Sequence, residues 1–129
     1  MNGSKLFEIM IPGRAYAPRS REASRYKATI KDIASKNKVR KLKRSLSIRI
    51  IYCYSNTQFR LDGDNLLKIV CDALKGIAYE DDSQIDSHHI DRLNTSSGKS
   101  VEINDPPPSF FDYIGQHGDF ILIQLGANL

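Results

Sequence analysis

The chain has 129 residues, 40% of them hydrophobic and 26% charged. That is enough for one packed core, too little for two, and too apolar for wholesale disorder. No apolar run approaches the roughly 20 residues that a membrane-spanning helix needs, and the start, MNGSKLFEIMIPG, lacks the basic segment and long apolar stretch of a secretory signal. A cytoplasmic protein without membrane contact is therefore expected.

The net charge of +4 conceals an asymmetry: residues 1–60 hold 15 of the 19 Lys and Arg against three acids, and residues 61–129 hold four against twelve. Such a split predicts one surface that attracts a polyanion and another that concentrates carboxylates. A protein that grips DNA by its phosphates and cuts it needs both. Cys53 and Cys71 form no CxxC pair and sit in apolar stretches, so both are expected to be buried, reduced thiols.

In chain order, KLFEIMIP carries apolar residues at Leu6, Ile9 and Ile11 and reads as a first strand, ended by Pro12-Gly13. A basic loop then runs into a helix whose stripe is Ala23, Tyr26, Ile30, Ile33 and Ala34. After the basic exit KNKVRKLKR, residues 46–54 (LSIRIIYCY) are predicted to form a core strand, with Leu46, Ile48, Ile50 and Tyr52 on one face. The next helix begins near Asp64, buries Leu67, Val70, Cys71 and Leu74, and stops at Gly76.

SQIDSHHIDRLNT reads as another strand, SSGK as a turn into a strand SVEIN, and DPPPS as a stiff loop. DFILIQL is nearly continuously apolar and fits a strand buried on both faces. This order predicts one α+β domain spanning residues 1–129, a mixed sheet with helices packed on it.

RLDGDNLLK, residues 60–68, places Asp62 and Asp64 at a helix start, with Asp64, Lys68 and Asp72 aligned at spacings of four. Two readings stand. Asp near a helix N-terminus is stabilising by capping and by the helix dipole. Alternatively, Asp62 and Asp64 meet Asp81 and Asp82, which follow the helix, and form a metal site. Clustered carboxylates repel unless a cation is present, and oxygen-only ligands suit Mg²⁺ or Mn²⁺. Such ions activate water for phosphodiester cleavage, and Lys68 would then offset charge near the scissile phosphate. An EF-hand is excluded because Leu66 and Leu67 fall where its loop needs an oxygen ligand and a glycine. His88 and His89 are adjacent, lack ligand spacing with the cysteines and read as surface or packing residues.

Residues 61–85, LDGDNLLKIVCDALKGIAYEDDSQI, resemble the signature of RusA-like Holliday-junction resolvases. The matching positions are Asp62, Asp64 and Asn65, then Lys68, then Asp72-Ala73-Leu74, then Asp81, Asp82 and Gln84. FEIMIPG with APRSR, and the closing DFILIQL, extend the likeness to both ends. The resemblance implies a homodimeric, Mg²⁺-dependent α+β endonuclease of four-way DNA junctions, acting in recombination and repair, nucleoid-associated in the cytoplasm and encoded by a cell, a phage or a prophage. It implies Asp62, Asp64 and Asp82 as metal ligands, Lys68 as the catalytic cation, and Asp81 and Asp72 as supporting carboxylates, Asp81 completing the candidate metal set.

Gly63, Leu61 and the long segment from about 96 to 118 depart from the family pattern and leave substrate preference open. A C2 dimer matches the approximate two-fold symmetry of a junction that needs two cuts. Arg14, Arg19, Arg21 and Arg25 are the first candidates for DNA binding, with Lys38, Arg40, Lys41, Lys43 and Arg44 as a second patch. Tyr16 and Phe59 are candidates for stacking at an opened junction. The competing expectations are a nuclease for other branched DNA, such as forks and flaps, and a non-catalytic junction-binding protein.

Overall fold

Alternating and continuous apolar runs become four strands of one mixed sheet in the computed structural model, which describes residues 5–37, 40–98, 103, 105–116 and 118–127. The strands are β1 (Lys5–Pro12), β2 (Leu46–Tyr54), β3 (Ile85–Asn94) and β4 (Phe120–Ala127), and the helices are α1 (Ala23–Lys36), α2 (Gly63–Leu74) and α3 (Pro108–Gln116). The sheet order is β1-β4-β2-β3. β4 runs antiparallel to both β1 and β2, whereas β2 and β3 are parallel, with α2 lying between them in the chain. Parallel neighbours need such a crossover. Among the described residues no helix is long and apolar enough to cross a membrane.

The two inner strands are buried on both faces. Leu46, Ile48, Ile50, Tyr52 and Tyr54 of β2, with Ile121, Ile123 and Leu125 of β4, pack against α1 and α2. Ile51, Cys53, Phe120 and Leu122 face the other way and pack with Leu93 of β3 and Phe110 of α3. Period-two alternation on a strand enclosed by two layers reads as a nearly continuous apolar run, as in residues 50–54 of β2 and 120–123 of β4. The exception within β4 is Gln124, 5% exposed, whose amide donates to Glu8 Oε1 at 2.7 Å. Beside it in the register lies Arg49, 4% exposed, which donates to the Asp105 carbonyl at 2.6 Å and lies 3.7 Å from Asp91. Buried polar groups are tolerated when paired in this way.

Three sequence expectations meet a different structure, and a fourth lies mostly outside the described residues. In β1 the core face is Phe7, Ile9 and Ile11, while Leu6 alternates onto the opposite face, at the irregularity in the pairing with β4, and stays 38% exposed. In α2 the buried stripe is Leu66, Ile69, Val70, Ala73 and Leu74 together with Cys71, and Leu67 is only half-buried. Adjacent leucines lie about 100° apart around a helix, so the pattern admitted either one. DPPPS is not wholly loop: Pro108 opens α3, where its missing N–H is an orphan position anyway and its fixed φ suits the first turn. The expected strand SVEIN falls outside the described residues except for Ile103, which packs against the second core layer. Gly76, with φ +84, ends α2 as expected.

Candidate active site

Asp62 precedes the first helical residue of α2, and its backbone carbonyl accepts the first helical bond, from Leu66 N at 3.1 Å. Its side chain, however, makes no capping hydrogen bond. Asp81 behaves in the opposite way. Its carboxylate accepts from Ser83 N at 3.1 Å within a capping box, and it pairs with Lys75 at 3.3 Å. Hydrogen bonds from Ser83, and then Lys75, hold the Asp81 carboxyl down at about 2. The two carboxylates that look alike in sequence thus have different local occupations.

An open cleft of about 280 Å³ lies between α2, the turn that follows it and the start of β3. It is lined by Asp64, Leu67, Lys68, Cys71, Asp72, Asp82, Ile85 and His88. The four-residue spacing supplies Asp64, Lys68 and Asp72 from one face of α2, and the chain's return through Tyr79 supplies Asp82. Lys68 Nζ lies 3.8 Å from Asp72 Oδ2, its side chain 66% exposed. A pair so exposed is weak and readily exchanged for another anion.

Tyr79, fully buried, anchors this arrangement from beneath. Its hydroxyl is 2.9 Å from the Cys71 carbonyl of α2 and 3.2 Å from Asp82 Oδ1. One phenolic proton is therefore shared between the helix and the carboxylate, and burial pushes the phenol up so that it stays protonated. Burial also raises the Cys71 thiol, and Cys53 to about 12. Both cysteines are free and buried, as expected. The neutral Cys71 thiol leaves carboxylate oxygens as the cleft's anionic donors, a set that fits Mg²⁺ or Mn²⁺ in kind. Asp62 and Asp81 are not part of the cleft lining. Among the described residues no three His, Cys, Asp or Glu side chains are gathered closely enough to hold a metal ion.

The candidate DNA-binding residues divide into three places. Arg14 is half-buried, its guanidinium 4.2 Å from the ring centre of Tyr16 and 4.1 Å from that of Phe59. This cation–π sandwich engages both rings considered for stacking. Arg19, Arg21 and Arg25 are exposed on the entry to α1. Arg40, Lys41, Lys43 and Arg44 are exposed on the segment leading to β2, which lies against the turn after α2. Leu42 N donates to the Ala78 carbonyl at 2.7 Å, and Lys43 pairs with Glu80 at 3.8 Å. Lys38 lies outside the described residues.

His88 is the cleft residue that sequence reasoning set aside. The parallel register pairs it with Ile48, on the sheet face that carries the helices. Alternation along β3 assigns His88, Ile90 and Arg92 to that face and His89 to the other, where it lies 3.3 Å from Asp91. The signal was there in the alternation, but it needed the strand's register to be read.

The sequence model of the family described as Endodeoxyribonuclease RusA matches residues 11–104, nearly three quarters of the chain. The chain belongs to the RusA family. The matched span runs from the end of β1 to ten residues past β3, and contains every residue lining the cleft and every candidate DNA-binding residue. RusA membership makes the protein an endodeoxyribonuclease of the junction-resolving kind. No curated protein matches the chain significantly.

Proposed function

We propose that this RusA-family chain is a structure-selective endodeoxyribonuclease that resolves four-way junctions by paired, symmetrical cuts, as a Mg²⁺-dependent homodimer serving DNA recombination and repair. The observation that carries the reading is the convergence of Asp64, Lys68, Asp72 and Asp82 in one open cleft. Asp62 adds a carboxylate that is not spent on capping.

In this reading the exposed arginines and lysines of the N-terminal half hold the phosphates of the arms. Lys68 exchanges its loose contact with Asp72 for the scissile phosphate and offsets the charge that develops there. Asp64 and Asp82, with Asp62 two residues before Asp64, would hold the divalent ion, and their remaining carboxylate oxygens would orient the attacking water. Tyr79 keeps Asp82 from rotating out of the cleft. The metal, when bound, would lower the pKa of the water and stabilise the attacking and leaving oxygens. The neutral Cys71 thiol takes no part in the chemistry. Two such sites related by two-fold symmetry would face the two strands that a junction requires to be cut.

The test is cleavage of an end-labelled four-way junction in Mg²⁺ and in EDTA by wild type and by Asp64→Asn, with forks and flaps run beside it and sedimentation giving the mass. Paired nicks that need the metal, fall about a hundredfold or more in Asp64→Asn, and come from a species of two chains are expected. Preferential cutting of forks or flaps would move the substrate. Tight binding without nicks under any divalent ion would leave a junction-binding protein in place of a nuclease.

A further inference from the structure

Gln84 is the residue whose environment the proposed chemistry does not explain. Its carboxamide uses all of its principal bonding directions. The oxygen accepts from the backbone N–H groups of Glu80 at 2.8 Å and Asp81 at 3.0 Å. The nitrogen donates to the carbonyls of Leu42 and Arg44, both at 3.0 Å. A primary amide offers two donor protons and one carbonyl, and here each donor proton has its own acceptor.

The four partners belong to two segments some forty residues apart in sequence. One is the basic run before β2, with Arg40, Lys41, Lys43 and Arg44 exposed on it. The other is the turn that delivers Asp82 to the cleft. Around Gln84 the same two segments are joined by the Leu42 N to Ala78 carbonyl bond and by the Lys43–Glu80 pair. The last two contacts are a single backbone bond and an exposed ion pair, which is weak. Ser45 Oγ donates to Asp86 just past the turn, but among the described residues the Gln84 carboxamide is the side chain that binds backbone groups of both segments, the turn through its oxygen and the basic run through its nitrogen.

We propose that Gln84 is a positioning residue that clasps the basic segment 40–45 to the carboxylate turn 80–84, so that phosphates caught on the first present the scissile bond to Asp82 on the second. The proposal rests on the nuclease reading given above. A backbone fixed at both ends has little to reorganise when DNA arrives, and misplacement of a reacting group by about 1 Å can cost on the order of a hundredfold in rate. Without the clasp the basic side chains would still attract DNA, because their charge is unchanged. What would be lost is the registration between captured phosphate and cleft.

The experiment compares wild type with Gln84→Met, close in size but without the amide, and Gln84→Glu, which keeps an acceptor for Glu80 N and Asp81 N but loses both donors. Three quantities are read well below the melting transition: junction Kd without metal, single-turnover cleavage of saturated DNA, and backbone amide exchange at residues 40–45 and 80–84. Gln84→Met is expected to keep Kd within about threefold, while the charge added by Gln84→Glu weakens binding further; both should cleave saturated junction at least about tenfold more slowly and exchange faster in both segments. In the Gln84→Met background, adding Arg44→Ala should weaken binding but no longer slow cleavage of bound DNA, whereas in wild type it should do both.

A cleavage rate within about twofold of wild type in Gln84→Met, or a loss that only follows the folded fraction, would overturn the coupling role. If Gln84→Met does not fold, the same readings on Gln84→Glu decide. An inactive wild type would overturn the nuclease reading and with it the catalytic part of the proposal. Unaltered amide exchange in the two segments would overturn the clasp itself, whatever the activity.

Discussion

Asp62 and Asp81 are each the residue before a helical turn, yet only the second uses its side chain there. Asp62→Ala should therefore leave stability within about 0.5 kcal/mol of wild type, as exposed substitutions away from such bonds do, while activity falls. Asp81→Ala should lower the unfolding midpoint. Its carboxyl is held near 2, below its ordinary 3.8. A depressed value means that this contribution is fully present above about pH 3.8 and is lost as pH falls through about 2. The stability gap between wild type and Asp81→Ala, measured in urea at neutral pH and again near pH 2, should close at the lower pH. A gap that persists there would show that the carboxylate's hydrogen bonds are not its origin.

In Tyr79 one atom has two duties. Removing its hydroxyl in Tyr79→Phe leaves the ring packed but takes a hydrogen bond from the Cys71 carbonyl and from Asp82. A buried bond of this kind contributes about 0.5–1.5 kcal/mol. Urea denaturation should show a loss of that order, with cleavage reduced further than the folded fraction accounts for. An unchanged midpoint together with an unchanged rate would remove Tyr79 from the account.

At the scale of elements, α2 does most of the placing. Its inner face is held by Leu66, Ile69, Ala73 and Leu74, all fully buried, and that leaves Asp64, Lys68 and Asp72 on the cleft side. Gly63 at its first turn is not required by the backbone, since its φ is not in the left-handed region and an added Cβ would meet only Ile90, at 3.7 Å. Gly63→Ala should thus stabilise the protein by roughly 0.4–1 kcal/mol, by narrowing the unfolded chain's freedom. Thermal unfolding would check this, and a lower Tm would mean that the entry to α2 needs more room than it shows. α3 belongs to the other face of the sheet, where Phe110 packs on Phe120. It lies beyond the span matched to the RusA family.

At the scale of the molecule, the charge asymmetry of the two halves of the sequence is not a separation in space. The segment carrying Arg40, Lys41, Lys43 and Arg44 lies against the turn carrying Glu80, Asp81 and Asp82. Cations that flank a carboxylate cleft draw a polyanion toward groups that would otherwise repel it. Junction affinity should therefore fall steeply with salt, by about a thousandfold between 50 and 200 mM if six or more phosphates are engaged. Replacing Lys41 and Lys43 by Ala should make the slope shallower by up to about two. Titration at four salt concentrations would show it, and an unaltered slope would move the DNA path off this segment.

The sequence by itself determined the kinds of element and much of their placement. Periods of two and 3.6 are local properties of backbone geometry, and they marked β2, β4, α1 and α2. It also brought Asp64, Lys68 and Asp72 onto one line, because that alignment depends on a single helix. Tertiary structure decided everything that depends on two segments meeting. It chose Leu66 over Leu67 for the core, since only the sheet says which side of α2 is inside. It brought Asp82 and His88 to the cleft, spent Asp81 on a cap, placed Arg14 between two rings and tied the basic segment to the acidic turn through Gln84. These are long-range contacts fixed by strand register and helix packing, and no periodicity along the chain encodes them.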